Sequence, residues 1–124
     1  RVSDAGMEHI AKMKRLVYLG LRGNKISDAA LAHLAKLTRL TELHLGETGI
    51  TDKGTRQLAA LGQLQKLWLN DTRITDASVP LLARLKQLQA LYLHRTRLTV
   101  EGVRRLQKAL PKCRIFYRSA NMPE

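Results

Sequence analysis

The sequence predicts an α/β solenoid in which short parallel strands alternate with helices. Three observations support this prediction. A unit of 24 residues recurs without a gap, the first half of each unit alternates as a strand does, and the second half is spaced as a helix is. The chain of 124 residues contains 23 leucines, an excess that itself indicates a repeating pattern. No stretch remains for a second domain, so residues 1–124 are predicted to form one domain.

The repeat divides the chain into units of equal length. Full units cover residues 16–39, 40–63, 64–87 and 88–111. Residues 1–15 match the end of a further unit, and residues 112–124 are predicted to form a C-terminal cap with a frayed tail. Because the chain begins within a unit, we expect it to be a fragment of a larger protein. Residues 2–15 would then cover only part of the first strand.

The front half of each unit predicts a short strand. It follows the pattern Leu-x-x-Leu-x-Leu, as at Leu40, Leu43 and Leu45. Residues two apart lie on the same face of a strand. Leu43 and Leu45 are therefore predicted to enter the core, and His44 between them is predicted to face solvent.

The back half of each unit predicts a helix. Apolar residues recur at helical spacing, for example at Ile74, Val79, Leu82 and Leu85. A hydroxyl residue followed by an aspartate precedes this stripe at Ser3-Asp4, Ser27-Asp28, Thr51-Asp52 and Thr75-Asp76. Such side chains accept hydrogen bonds from the free N–H groups of a first helical turn, so each pair predicts a helix start. The last unit has Thr99-Val100 and lacks this carboxylate.

A single unit cannot bury its own leucines, so the units must stack, with the strands of successive units pairing in parallel. The units resemble leucine-rich repeats, through Leu40-Thr-Glu-Leu-His-Leu-Gly-Glu-Thr-Gly-Ile-Thr-Asp and its three counterparts over residues 2–111. The turn Thr51-Asp-Lys-Gly is similar to a bacterial group of these repeats. The resemblance implies a right-handed superhelix with strands on the concave side and helices on the convex side. It also implies a non-enzymatic module for protein–protein recognition.

The repeat also predicts which side chains share the concave face. The residue between the paired leucines is Gly20, His44, Trp68, Tyr92 and, if the last strand keeps register, Phe116. Such a row either stabilises the sheet by cross-strand packing or anchors a partner. We predict that the partner-binding residues are Tyr18, Arg22, His44, Glu47, Lys66, Trp68, Asn70, Asp71, Tyr92, His94, Arg95 and Phe116.

Charged residues on this face leave several interpretations open. Glu47 and Asp71 are predicted neighbours, which favours a raised pKa for one of them, a bound cation or an arginine from a partner. Alternatively, Arg95 simply forms an ion pair with Asp71, and Glu42 does the same with Lys66. We assign no catalytic residue, no metal site and no cofactor, since no nucleophile or convergent ligand set accompanies the histidines.

The chain is strongly basic, with 22 Lys and Arg against 10 Asp and Glu and a net charge of +12. One turn column contains Arg1, Lys25, Gly49, Arg73 and Arg97. Its cations either serve solubility or contact a polyanion such as nucleic acid or an anionic surface. Possible polyanion contacts are Lys25, Arg73 and Arg97. A partner protein with an acidic surface is the main expectation.

Three functions therefore remain open. The first is a protein-recognition module, the second a polyanion binder, and the third the substrate-recognition part of a larger enzyme. No apolar stretch is long enough for a membrane span, and the first residues do not form a secretory signal. Cys113 stands alone, so no disulfide can form within the chain. These features favour a cytoplasmic location, and the sequence does not predict an oligomeric state.

Overall fold

The computed structural model describes residues 2–118, so Arg1 and the predicted tail at residues 119–124 lie outside the described residues. The strands form one five-stranded sheet in chain order. They are β1 (Tyr18–Gly20), β2 (Glu42–His44), β3 (Lys66–Trp68), β4 (Ala90–Tyr92) and β5 (Arg114–Phe116). All four neighbouring pairs are parallel. The predicted α/β solenoid with a concave parallel sheet is confirmed.

The register of the sheet follows the repeat. Leu43 of β2 pairs with Leu19 and Leu67 on its two sides, and Leu91 pairs with Leu67 and Ile115. Each partner lies 24 residues along the chain, because equal units place equivalent residues side by side. Every predicted column of side chains on the concave face therefore exists between β1 and β5.

Short helices cover the other side of the sheet. They are α1 (Met7–Ile10), α2 (Asp28–Leu34), α3 (Asp52–Leu58), α4 (Val79–Leu82) and α5 (Val100–Ala109). A 3₁₀ turn at Asp76–Ser78 leads into α4, and Pro80 lies in the first turn of α4, where a missing N–H costs nothing. Within residues 2–118, none of the helices has the length and apolar character needed to cross a bilayer.

The leucine columns fill the space between sheet and helices. From Leu40 onward the strand leucines are buried, and Leu21 is buried as well. At the N-terminal end, Leu16 and Leu19 are half-buried, so the cover expected from residues 2–15 is incomplete there. An open groove of about 590 Å³, lined by residues 12–18, lies at this end. After β5, the Tyr117 hydroxyl donates to the Leu98 carbonyl at 2.6 Å and ties this segment to the preceding unit.

The predicted helix starts are only half right. The threonine hydroxyls do cap: Thr51 accepts from the Lys53 N–H, and Thr99 accepts from the Gly102 N–H at 3.0 Å. Ser27 makes no such bond to the first turn of α2. The aspartates do not cap their own helices, which corrects the sequence interpretation. Each aspartate accepts hydrogen bonds from the N–H and the hydroxyl of the Ser or Thr in the next unit. The pairs are Asp4 with Ser27, Asp28 with Thr51, Asp52 with Thr75 and Asp76 with Thr99.

We call these four pairs the aspartate ladder. It explains a column of small residues in the first helical turns. A Cβ added at Gly54 would collide with the carboxylate of Asp28, and one at Gly102 would collide with Asp76. The intervening unit has Ser78 at this position, whose hydroxyl donates to Asp52 at 2.5 Å. Only small side chains fit beside the ladder.

Threonines secure the turn that follows each strand. The hydroxyls of Thr48, Thr72 and Thr96 each donate to the carbonyl of the leucine three residues earlier, at 2.7, 2.8 and 3.0 Å. Asn24 occupies the same position in the first unit. The turn is therefore fixed directly beside the concave face.

Candidate functional site

Four aromatic rings form a continuous stack on the concave face. The ring centroids of His44 and Trp68 are 5.0 Å apart, those of Trp68 and Tyr92 5.0 Å, and those of Tyr92 and Phe116 4.6 Å. The planes deviate by only 2°, 3° and 7°. This spacing follows from the strand separation of about 4.8 Å. We call these residues the ring ladder; all are half-buried, and their role in binding stays a prediction.

The column two residues earlier in each strand covers both ends of the ring ladder. The Arg114 guanidinium carbon lies 5.5 Å from the centroid of the Phe116 ring, a cation–π contact. At the other end, the exposed Tyr18 side chain lies over Gly20, with its hydroxyl 2.8 Å from where a Cβ would stand. Since Trp68 and Tyr92 are stacked on both faces, the ladder presents ring edges to a partner.

A row of four charges runs beside the ladder. Arg22 forms an ion pair with Glu47 of the next unit. Arg95 reaches back to Asp71 with two bonds of 2.6 and 3.0 Å between its Nε and Nη2 and the carboxylate oxygens. The ion-pair interpretation of Asp71 is thus confirmed, whereas the partner of Glu47 was not foreseen. Glu42 and its register neighbour Lys66 form no ion pair in the structure, so that prediction was wrong.

Three of the four residues of this row, all except Arg22, stand on an unusual backbone. Glu47, Asp71 and Arg95 have φ angles of 57°, 58° and 54°, in the left-handed region that favours glycine, and Gly23 occupies the same position with a φ of 73°. Each such residue costs on the order of 1 kcal/mol when it is not glycine. Backbone hydrogen bonds to the next unit hold the bend, for example from the Glu47 N–H to the Asn70 carbonyl at 2.9 Å. Sequence analysis missed it, and Gly23 was the available signal.

A pocket of about 220 Å³ lies between the ring ladder and the charge row. Its lining residues are Arg22, His44, Gly46, Glu47, Trp68, Asn70, Asp71 and Arg95. Burial lowers the pKa of His44, the charge of Arg22 lowers it further, and Glu47 opposes the change. This environment therefore favours the neutral imidazole. Its Nδ1 atom is buried and has no hydrogen-bond partner among the described residues.

Other residues of the predicted site differ in their surroundings. The Asn70 side-chain oxygen accepts from the His94 N–H at 2.8 Å and so joins two neighbouring units, and its role in binding stays a prediction. Lys66 is exposed on the ladder side. No group of three or more potential metal ligands is present within residues 2–118. Cys113 is buried, and burial raises the pKa of its thiol.

The cations predicted to contact a polyanion lie away from the ladder. Lys25, Arg73 and Arg97 are exposed at the turns, and the ion pairs of the described part of the chain do not include them. Gly49 interrupts their column between Lys25 and Arg73. They form a broken row of positive charge at the edge of the sheet.

Comparison with known proteins shows which repeat family this chain is similar to. A family profile described as "Leucine Rich repeat" matches residues 36–59. A leucine-rich-repeat protein of Leptospira interrogans has a similar structure, with a TM-score of 0.60 and 26% identity over 87% of this chain and 33% of its own. The chain folds as a leucine-rich-repeat solenoid. An internalin of Listeria monocytogenes is similar at a TM-score of 0.60 and 27% identity, over 91% of this chain and 37% of its own.

The leucine-rich-repeat chain thus spans about a third of the length of these two proteins. Internalin C2 of Listeria monocytogenes shares the fold, with a TM-score of 0.56 and 17% identity over 98% of this chain and 70% of its own. No curated protein sequence matches the chain. These bacterial relatives agree with the subtype indicated by the Thr51-Asp-Lys-Gly turn. Leucine-rich-repeat proteins are typically protein-interaction modules and are generally non-enzymatic.

Proposed function

We propose that this chain is a non-enzymatic recognition module that binds a partner protein on its concave strand face. The observation that carries the proposal is the ring ladder, a row of half-buried rings on a face that has no leucines to bury. Trp and Tyr side chains contribute much of the energy at protein interfaces. A rim of polar side chains, such as Arg22, Lys66 and Asn70, surrounds the rings as it does the centre of known interfaces.

Binding of a nucleic acid is less consistent with this geometry. Proteins that hold single strands stack bases on exposed ring faces. Here the faces of Trp68 and Tyr92 are already stacked on their neighbours. The third function, substrate recognition within a larger enzyme, uses the same concave face and differs only in what else the protein contains.

The proposal can be tested with a random dodecapeptide library displayed on phage and selected on the immobilised chain. Selected peptides are then titrated against Trp68→Ala, with Val100→Ala as the control on the convex side, where Val100 is 59% exposed. We expect Trp68→Ala to weaken binding by about 30-fold, the scale of an interface hot spot. The control should retain full affinity. Unchanged binding to Trp68→Ala would mean that the binding site lies elsewhere.

A further inference from the structure

Some charged side chains of the concave face form ion pairs and others do not. Glu47 and Asp71 are already paired with arginines of the charge row. Lys66 and Arg114 are exposed and form no ion pair with a carboxylate of residues 2–118. The half of the face around Trp68, Tyr92 and Phe116 therefore carries positive charge that no carboxylate of the described residues pairs with.

Lys66 and Arg114 stand on either side of Ala90 in the sheet. Two strand spacings place their backbones about 10 Å apart. Ala90 between them is buried and uncharged, so Lys66 and Arg114 are the outward-facing groups of this column on β3, β4 and β5. A carboxylate that approaches β4 from the concave side meets cationic side chains from both flanking strands.

The exposed parts of the ring ladder also favour acceptor groups. Aromatic rings are negative on their faces and positive at their edges, and stacking leaves only the edges accessible. The indole N–H of Trp68 and the hydroxyl of Tyr92 have no hydrogen-bond partner within the described residues. Carbonyl and carboxylate oxygens are the groups that suit such a surface.

The ladder is narrow. The flanking columns stand two residues away along each strand, about 6.6 Å on either side. An α-helix with its side chains is about 10–12 Å across, so it would fill nearly all of the about 13 Å between the two columns and leave little room for the long side chains of Lys66 and Arg114. The rings run for about 15 Å along the sheet, the length of four or five extended residues. The surface therefore fits one extended polypeptide segment.

We propose that the partner contributes an extended acidic segment, which lies along the ring ladder with its carboxylates facing Lys66 and Arg114. This inference rests on the proposed function of the concave face and specifies the chemistry of its partner. The contact is a polypeptide contact and not a nucleic-acid one, because the ladder offers no free ring face for a base.

The dodecapeptide library provides the test, since its composition is unbiased. Selected sequences should be enriched in Asp and Glu over the unselected library. Synthetic versions are then titrated by the fluorescence of Trp68, the single tryptophan of the chain. We expect the double variant Lys66→Gln/Arg114→Gln to weaken binding on the order of tenfold. The matched control Arg73→Gln/Arg97→Gln removes the same charge from the turns and should change affinity less than twofold.

Each other outcome has a definite meaning. Neutral or basic peptides that require Trp68 but not Lys66 and Arg114 would overturn this inference and leave the proposed function standing. Equal losses in the two double variants would show general charge attraction and would also overturn it. A dT12 oligonucleotide that binds more tightly at the same residues would replace the polypeptide with nucleic acid. Binding that ignores Trp68 would overturn both proposals.

Discussion

Asp52 accepts hydrogen bonds from both the N–H and the hydroxyl of Thr75, at 2.8 and 2.6 Å, although Thr75 belongs to the next repeat. The same two bonds recur at each junction of the aspartate ladder. The stability of a repeat protein is approximately a sum of unit terms and nearest-neighbour terms. The ladder acts on the neighbour terms, because each carboxylate joins two units.

Removing one carboxylate should weaken one junction strongly. Asp52→Ala leaves the Thr75 N–H and the Ser78 hydroxyl without their acceptor. We expect a loss of about 2 kcal/mol in the free energy of unfolding, measured in urea. Glu101→Ala is the control, because its carboxylate pairs with Arg104 on the exposed surface, where a pair contributes less than about 1 kcal/mol. Similar losses in both variants would contradict a special role for the ladder.

The ladder should also make stability depend on acid pH. Burial alone would raise the pKa of Asp52, but hydrogen bonds from Ser78 and Thr75 lower it below its ordinary value. The unfolded chain therefore takes up this proton first, near pH 3.9. The stability contributed by Asp52 is complete above about pH 4 and is lost as the pH falls through the folded pKa. Melting temperatures between about pH 2 and 6 should fall less steeply for Asp52→Asn than for the wild type. If the melting temperatures of Asp52→Asn and the wild type fell in parallel with pH, Asp52 would not be the source of the acid sensitivity.

The small-residue column predicts a steric limit. Gly102→Val should place a branched side chain against the Asp76 carboxylate, which bonds to Thr99. We expect a loss of about 2 kcal/mol from this overpacking. Gly62→Val is the matched control, since a Cβ at Gly62 meets nothing within 4 Å. The difference between the two variants in the free energy of unfolding in urea measures the cost of this collision. If Gly102→Val left the stability unchanged, the Asp76 carboxylate would have to be able to move aside.

The ring ladder should contribute less to folding than the leucine core. Trp68→Ala removes two stacking contacts, each of about 0.5–1.5 kcal/mol. Leu67→Ala, at the adjacent and fully buried position, should cost about 3 kcal/mol or more, because it leaves a cavity. Urea unfolding of both variants gives the comparison. If Trp68→Ala proved as costly as Leu67→Ala and left peptide binding intact, the rings would serve only as scaffolding.

The turn cations should show only weak, general attraction to a polyanion. On a heparin column, we expect elution at low salt, because a broken row of charges gives few simultaneous contacts. Arg73→Glu/Arg97→Glu should reduce the eluting salt concentration no more than Lys12→Glu/Lys36→Glu, which reverses the same charge at other exposed positions. A loss of retention confined to the first variant would favour the polyanion function.

The sequence predicted those features that depend on period alone. A spacing of 24 residues fixes the register, so the column of His44, Trp68, Tyr92 and Phe116 followed before any geometry was known. The aspartate ladder did not follow, because a Ser/Thr-Asp pair has the same pattern whether it caps its own helix or bonds to the next unit. The small residues at Gly54 and Ser78 were a usable signal, since they leave room for a neighbouring side chain.

The direction of the long side chains could not be predicted from the sequence either. The pairing of Arg22 with Glu47 required knowledge of which way each long side chain turns across the strands. The left-handed backbone at Glu47 was hidden because glycine occupies that position in only the first unit. A column that contains one glycine among charged residues indicates such a bend, and it is visible only when the units are aligned.

The aspartate ladder is directional, since each unit holds its successor and Val100 replaces the carboxylate in the last helix. The loss of one carboxylate therefore loosens the helix start of the following unit and leaves its own helix start held: without Asp52, Thr75 loses its acceptor, whereas Thr51 keeps both bonds to Asp28.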